Sequence, residues 1–143
     1  MNMTSDFFKV AAFRLEQHHM GADNSYILTM FDTPEVDAFE LPVVESMLVD
    51  YIEANLDLAG ENVSIALFAL GKTVKPIYRP LYIVAMQKSV RSDLNICYQA
   101  GIAIENLGEN IFDSISPTED PQLSTERANE FLSANGKWQI PKP

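Results

Sequence analysis

Residues 62–86 read NVSIALFALGKTVKPIYRPLYIVAM. Two apolar runs, 62–70 and 80–86, flank the connection GKTVKPIYR at 71–79. How these runs are read decides the fold class. Each is short, apolar on both faces and bounded by Gly71 or Pro80, the pattern expected of buried strands. A nine-residue connection suits an antiparallel pair. Pro76 and Pro80 cannot donate to a ladder, so the connection is expected at an edge or in a loop, with Lys72–Arg79 protruding.

Working outward, PVVESMLVDYIEANLDLAG places Val44, Met47, Leu48, Tyr51, Ile52 and Leu56 at helical spacing, which predicts a helix over 43–57. Pro42 suits its first turn and Gly60 its stop, with Glu45, Asp50, Glu53 and Asp57 on the wet side. Residues 91–114 read as helical, capped at Ser92 or Asp93 and weakened at Gly101 and Gly108. Within them Glu105, Glu109 and Asp113 form an acidic stripe at i, i+4, i+8. Ser124–Ala134 reads as a helix stopped by Asn135-Gly136.

Residues 6–19 admit two readings. Phe8, Ala11, Ala12 and Leu15 make a helical stripe, yet MGADN could be the loop of a hairpin leading into the β-rich run 25–31. The balance tips towards the hairpin. The fold class expected is α+β: a small antiparallel sheet, including 62–70 and 80–87, packed against several helices. A length of 143 residues fits one domain, assigned to 1–136, with an extended C-terminal tail at 137–143.

The charge is segregated. The net charge is −10, and residues 62–91 hold no acid but five of the ten bases. An acid excess argues against nucleic acid or an anionic membrane as partner, since both are recognised through Lys and Arg. No run approaches the roughly 18–20 apolar residues of a membrane span. One cysteine, Cys97, and no basic-apolar leader point to a reducing, cytoplasmic setting or an assembled particle rather than secretion.

The sequence offers no recognised catalytic grouping and no cofactor motif. Gly71-Lys72-Thr73 lacks the upstream glycine of a phosphate loop, because position 66 is Ala. His18 and His19 are adjacent and diverge on either a helix or a strand, which opposes a shared metal. Cys97 lies on an apolar face, as an inert thiol does. Asp32, Glu35, Asp37 and Glu40 cluster in an acidic loop without the spacing of a calcium site.

The candidate partner-binding residues are therefore Lys72, Lys75, Tyr78 and Arg79 in the basic window, with Tyr82 adding contact area. Trp138 and Ile140 in the tail join them, as does the acidic loop Asp32, Glu35, Asp37 and Glu40. The expected function is a non-enzymatic interaction or assembly subunit, for instance a structural part of a phage or other bacterial particle. It would self-associate head to tail through its basic loop and an acidic surface. One alternative is a small acidic inhibitor, immunity protein or chaperone that binds a basic partner. Another is a small enzyme acting on an anionic ligand through Lys72, Lys75 and Arg79.

Overall fold

The computed structural model describes residues 3–31, 38–57 and 61–135, and these are helical throughout, with no strand among them. The helices are α1 (Ser5–Met20), α2 (Ser25–Leu28), α3 (Leu41–Asn55), α4 (Glu61–Gly71), α5 (Arg79–Ser89), α6 (Leu94–Glu105) and α7 (Pro121–Ala134), with a 3₁₀ turn at Pro76–Tyr78. The expected α+β fold with an antiparallel sheet is overturned.

The two runs that suggested strands are α4 and α5. Val63, Ala66, Leu67 and Leu70 are buried at i, i+3, i+4, i+7. Helix α4 packs against α1, α3 and α6 at once, so it is apolar nearly all round. A helix buried on every side looks like a two-faced strand when only polarity is read. Tyr82, Ala85, Met86 and Ser89 repeat the spacing in α5. Pro76 and Pro80 are not strand-edge residues. Each stands in the first turn of a helical segment, where the missing N–H costs nothing. Tyr82 is 1% exposed and offers no outer surface.

The hairpin expected over 6–19 is likewise a helix. The Thr4 hydroxyl accepts from Phe7 N at 3.3 Å at the start of α1, and left-handed Gly21 (φ 75°) ends it. The stripe Phe8, Ala11, Ala12 and Leu15 is buried. Ser25–Leu28 is one helical turn rather than a strand. The helix expected at 43–57 stands as α3. Gly60, its expected stop, lies outside the described residues.

Two adjoining groups make up the core. Helix α4 is flanked by α1 and α3, and α6 by α5 and α7, with α4 packed directly on α6. The Asp93 carboxylate caps α6 by accepting from Asn95 N and Ile96 N. Gly101 does not break this helix. A Cβ there would stand 2.3 Å from the Phe112 ring, so the glycine makes room for Phe112. The helix ends at Glu105, and Gly108 (φ 101°) follows. The acidic stripe at Glu105, Glu109 and Asp113 therefore does not form. Glu105 instead accepts from Ile111 N (2.8 Å) and Phe112 N (3.0 Å), and Glu109 turns towards Arg79.

Candidate functional site

The basic window does not protrude as one surface. Its cations diverge to separate elements, and each meets a carboxylate of the same chain. Lys72 reaches α1, where Nζ lies 2.7 Å from Glu16 Oε2 and 4.5 Å from the centre of the Phe68 ring. Glu16 also accepts from Asn24 Nδ2 at 2.9 Å. Its hydrogen bonds from Lys72 and then Asn24 hold the carboxyl below the usual range. Arg79 grips Glu109 with two prongs, Nε to Oε2 and Nη2 to Oε1, both 2.8 Å. Its Nη2 also donates to Asn135 Oδ1 at 2.7 Å, and the guanidinium lies 5.7 Å from the centre of the Phe131 ring. Lys88, at the end of α5, meets Asp57 at 2.8 Å.

Lys75 and Tyr78 converge on a residue that polarity alone had put on the wet side. Glu45 is a buried carboxylate, its side chain 5% exposed. Lys75 Nζ donates to both of its oxygens at 2.9 Å, and the Tyr78 hydroxyl donates to Oε1 at 2.7 Å. Burial, then this hydrogen bond, pushes the Tyr78 phenol up to about 12. His19 Nε2 is buried 3.8 Å from Glu45 Oε2, beyond hydrogen-bond reach. His18 packs edge-on against the His19 ring, 4.7 Å between centres. Sequence did carry a signal for Glu45. Position 45 is four residues after Leu41 and three before Leu48, inside the apolar stripe of α3 rather than beside it.

His19 gives a pH prediction. Burial first, then the charge of His18, lowers its pKa below 6.5, against an opposing pull from Glu45, with Lys75 adding the least. The native state therefore binds the His19 proton less readily than the unfolded chain does. Stability from this group is present above pH 6.5 and falls as the pH drops below that value. The carboxyls of Glu16 and Glu109, both lowered from 4.5, act in a separate window below pH 4.5. His19→Gln should flatten the decline in Tm between pH 6.5 and 5 and leave the lower limb intact. An unchanged slope between 6.5 and 5 would refute this role.

Two polar clamps tie α3 to the segment that begins α5 and to its end. The Glu45–Lys75–Tyr78 cluster joins their starts, and Lys88–Asp57 joins their ends. The two helices therefore run side by side in the same direction. Between them lies a groove of about 550 Å³ lined by Val49, Leu56, Ile77, Leu81 and Val84, with Glu53 among the lining residues. Ile77 is 77% exposed and Val84 38%. Positions 77, 81, 84 and 88 form a second stripe on the segment, separate from the buried one at 82, 85, 86 and 89. Glu53 has no ion-pair partner among the described residues.

Glu40 is exposed just before α3, where its carbonyl accepts from Val43 N and Val44 N. Asp32, Glu35, Asp37, Trp138 and Ile140 lie outside the described residues. Among the described residues no group of three or more His, Cys, Asp or Glu side chains could hold a metal ion, and no helix is long and apolar enough to cross a membrane. Cys97 is buried, and burial pushes its thiol up to about 12, as suits a packing residue. No protein-family model, curated protein or solved structure matches this chain.

Proposed function

We propose that this chain is a non-enzymatic interaction subunit that receives an extended segment of a partner protein in the groove between α3 and α5. The observation that carries the reading is Ile77. A large apolar side chain, 77% exposed, stands in line with Leu81 and Val84 beside a second apolar wall from α3. Aligned apolar exposure with a polar rim is characteristic of docking surfaces. The buried Glu45–Lys75–Tyr78 cluster fixes the start of the groove without the partner, which lowers the ordering cost of binding.

The charge of the groove specifies its ligand. Glu53 and Lys88 both line it; Lys88 is held by Asp57, while Glu53 has no ion-pair partner among the described residues, on a chain of net charge −10. An apolar segment flanked by Lys or Arg complements both features. Self-association through the basic window would first have to release Lys72, Lys75 and Arg79 from Glu16, Glu45 and Glu109.

The test uses fluorescently labelled extended peptides that alternate apolar and Lys residues, with Glu-bearing counterparts as controls. Binding to the Lys series is expected, with at least a tenfold loss in Ile77→Asp. Equal binding by Ile77→Asp would overturn the reading. Native mass by light scattering at low salt and at about 0.5 M salt, where exposed pairs are screened, serves as the companion measurement. An oligomer that dissolves in salt but survives Ile77→Asp would return the interface to the charged surfaces.

A further inference from the structure

A second cavity, of about 310 Å³, shares no residue with the groove between α3 and α5. It is lined by α4 and by the two helices packed on it, α1 and α6. Helix α1 contributes Lys9, α4 contributes Ser64, Ile65 and Phe68, and α6 contributes Asn95 and Gln99. Residues four apart on a helix share a face, which brings Ser64 with Phe68, and Asn95 with Gln99, to one space.

Three features give this cavity a chemical preference. No acid lines it, although the chain has twenty. Lys9 is exposed and has no ion-pair partner among the described residues, whereas Lys72, Lys75, Arg79 and Lys88 each meet a carboxylate. The two amides bring further donors. Asn95 Nδ2 donates to the buried Ser64 hydroxyl at 3.1 Å, which steadies the side chain and leaves its second N–H for a ligand. The Gln99 amide, one turn on, has no hydrogen-bond partner among the described residues. Ile65 and Phe68 supply apolar surface beside these donors, and the Phe68 ring is held by Lys72, whose Nζ lies 4.5 Å from its centre.

We infer that this cavity binds a small carboxylic acid with an apolar body. The carboxylate pairs with Lys9 and accepts from the Asn95 and Gln99 amides, while the body covers Ile65 and Phe68. Hydrogen bonds to an ionised acceptor are the strong ones. One cation suits one negative charge. A phosphate is characteristically gripped by the two prongs of an arginine, and no arginine lines the cavity. The volume stands at the lower end of the roughly 300–1,000 Å³ of ligand pockets, which limits the body to about one ring or one branched chain. Two sources present this chemistry: a free organic acid, and the C-terminal carboxylate of a peptide that ends in an apolar residue.

The probe is phenylpropanoate, titrated into the isotope-labelled full chain and followed by two-dimensional NMR of backbone and side-chain amides. Saturable shifts are expected at the Asn95 and Gln99 side chains and at Ile65 and Phe68. Phenylpropanamide keeps the shape and loses the charge, and should bind roughly tenfold more weakly or worse. Lys9→Met removes the charge at an exposed position and should weaken phenylpropanoate by a similar factor. Ile77→Asp, in the other groove, should leave this binding unchanged. Circular dichroism checks that both variants keep their helices.

Acetylated alanyl-phenylalanine, with its C-terminal amide as control, separates the sources. Tighter binding of this peptide acid than of phenylpropanoate assigns the cavity to a chain terminus, and the reverse order assigns it to a free acid. The inference is overturned by the lack of a saturable shift at millimolar probe, or by shifts confined to other residues. Equal binding of the neutral amide, or equal binding by Lys9→Met, would overturn it as well. These readings do not depend on the labelled Lys peptides, so this site and the groove stand or fall separately.

Discussion

Phe112→Ala is expected to destabilise the protein by about 3–5 kcal/mol, the usual range for truncating a buried aromatic. Phe112 is 1% exposed and packs on Tyr98 at 4.9 Å between ring centres. Its ring occupies the space that a side chain at Gly101 would fill. Native domains hold only about 5–15 kcal/mol in total, so this one change removes a large share. For a chain of this size it corresponds to a fall in Tm of roughly 10–15 °C.

The same geometry makes a sharper statement about Gly101. A Cβ at that position meets Phe112 Cε2 at 2.3 Å and Cζ at 2.6 Å. Gly101→Ala should therefore cost about 1–3 kcal/mol through overpacking, in spite of the better helix propensity of alanine. Combined with Phe112→Leu, the alanine has less to displace, and the two losses should fall short of their sum. Calorimetric Tm values for the single and double variants measure this. Strict additivity would mean that Gly101 and Phe112 do not share the space.

Glu45→Ala is the second large effect, at about 2–3 kcal/mol. It removes the acceptor of Lys75 Nζ and of the Tyr78 hydroxyl together. Fully buried pairs cost about 3–5 kcal/mol when one partner is lost, but the Lys75 side chain is 43% exposed and can turn to water. Glu45→Gln keeps an acceptor and should cost about half as much. Denaturant unfolding of the two variants checks the order.

A spectroscopic signature accompanies the Glu45 prediction. The native Tyr78 phenol holds its proton to about 12, above the unfolded value of 10.0. This contribution to stability is whole below pH 10 and is lost as the pH rises through 12. Without Glu45, part of the elevation disappears and part remains, since burial is the larger cause. Ultraviolet tyrosinate titration should show one phenol ionising earlier in Glu45→Ala. An unchanged titration curve would mean that Glu45 does not hold Tyr78.

How much of this was legible beforehand varied with the kind of burial. Helix α3 was plain in the sequence because it has one wet face and one dry face, and its period survives. Helices α6 and α7 were legible in part, from the cap at Asp93 and the stop at Asn135, but the expected ranges 91–114 and 124–134 missed the end of α6 at Glu105 and the start of α7 at Pro121, which Asp120 caps. Helices α4 and α5 were not. Several neighbours bury α4, and α5 carries an apolar groove stripe besides its buried one, so neither shows a clean polar face. For α1 both readings were on the page, and what selected the helix was the packing of Phe8, Ala11, Ala12 and Leu15 under α4.

The sequence by itself determined α3 and its proline start, the cap of α6 at Asp93, the stop of α7 at Asn135, the place of Cys97 on an apolar face and the concentration of half the bases in one window. These are local properties, written in caps, prolines, glycines and composition. Only the tertiary structure decided what the bases do. Lys72, Lys75 and Arg79 lie 56, 30 and 30 residues from Glu16, Glu45 and Glu109. A charge pattern gives the sign of a segment but not which distant carboxylate folds against it. The groove belongs to the same class of fact. Val49 and Leu56 on and just after one helix and Ile77, Leu81 and Val84 by the other become a surface only when the buried Glu45 cluster sets the two helices side by side.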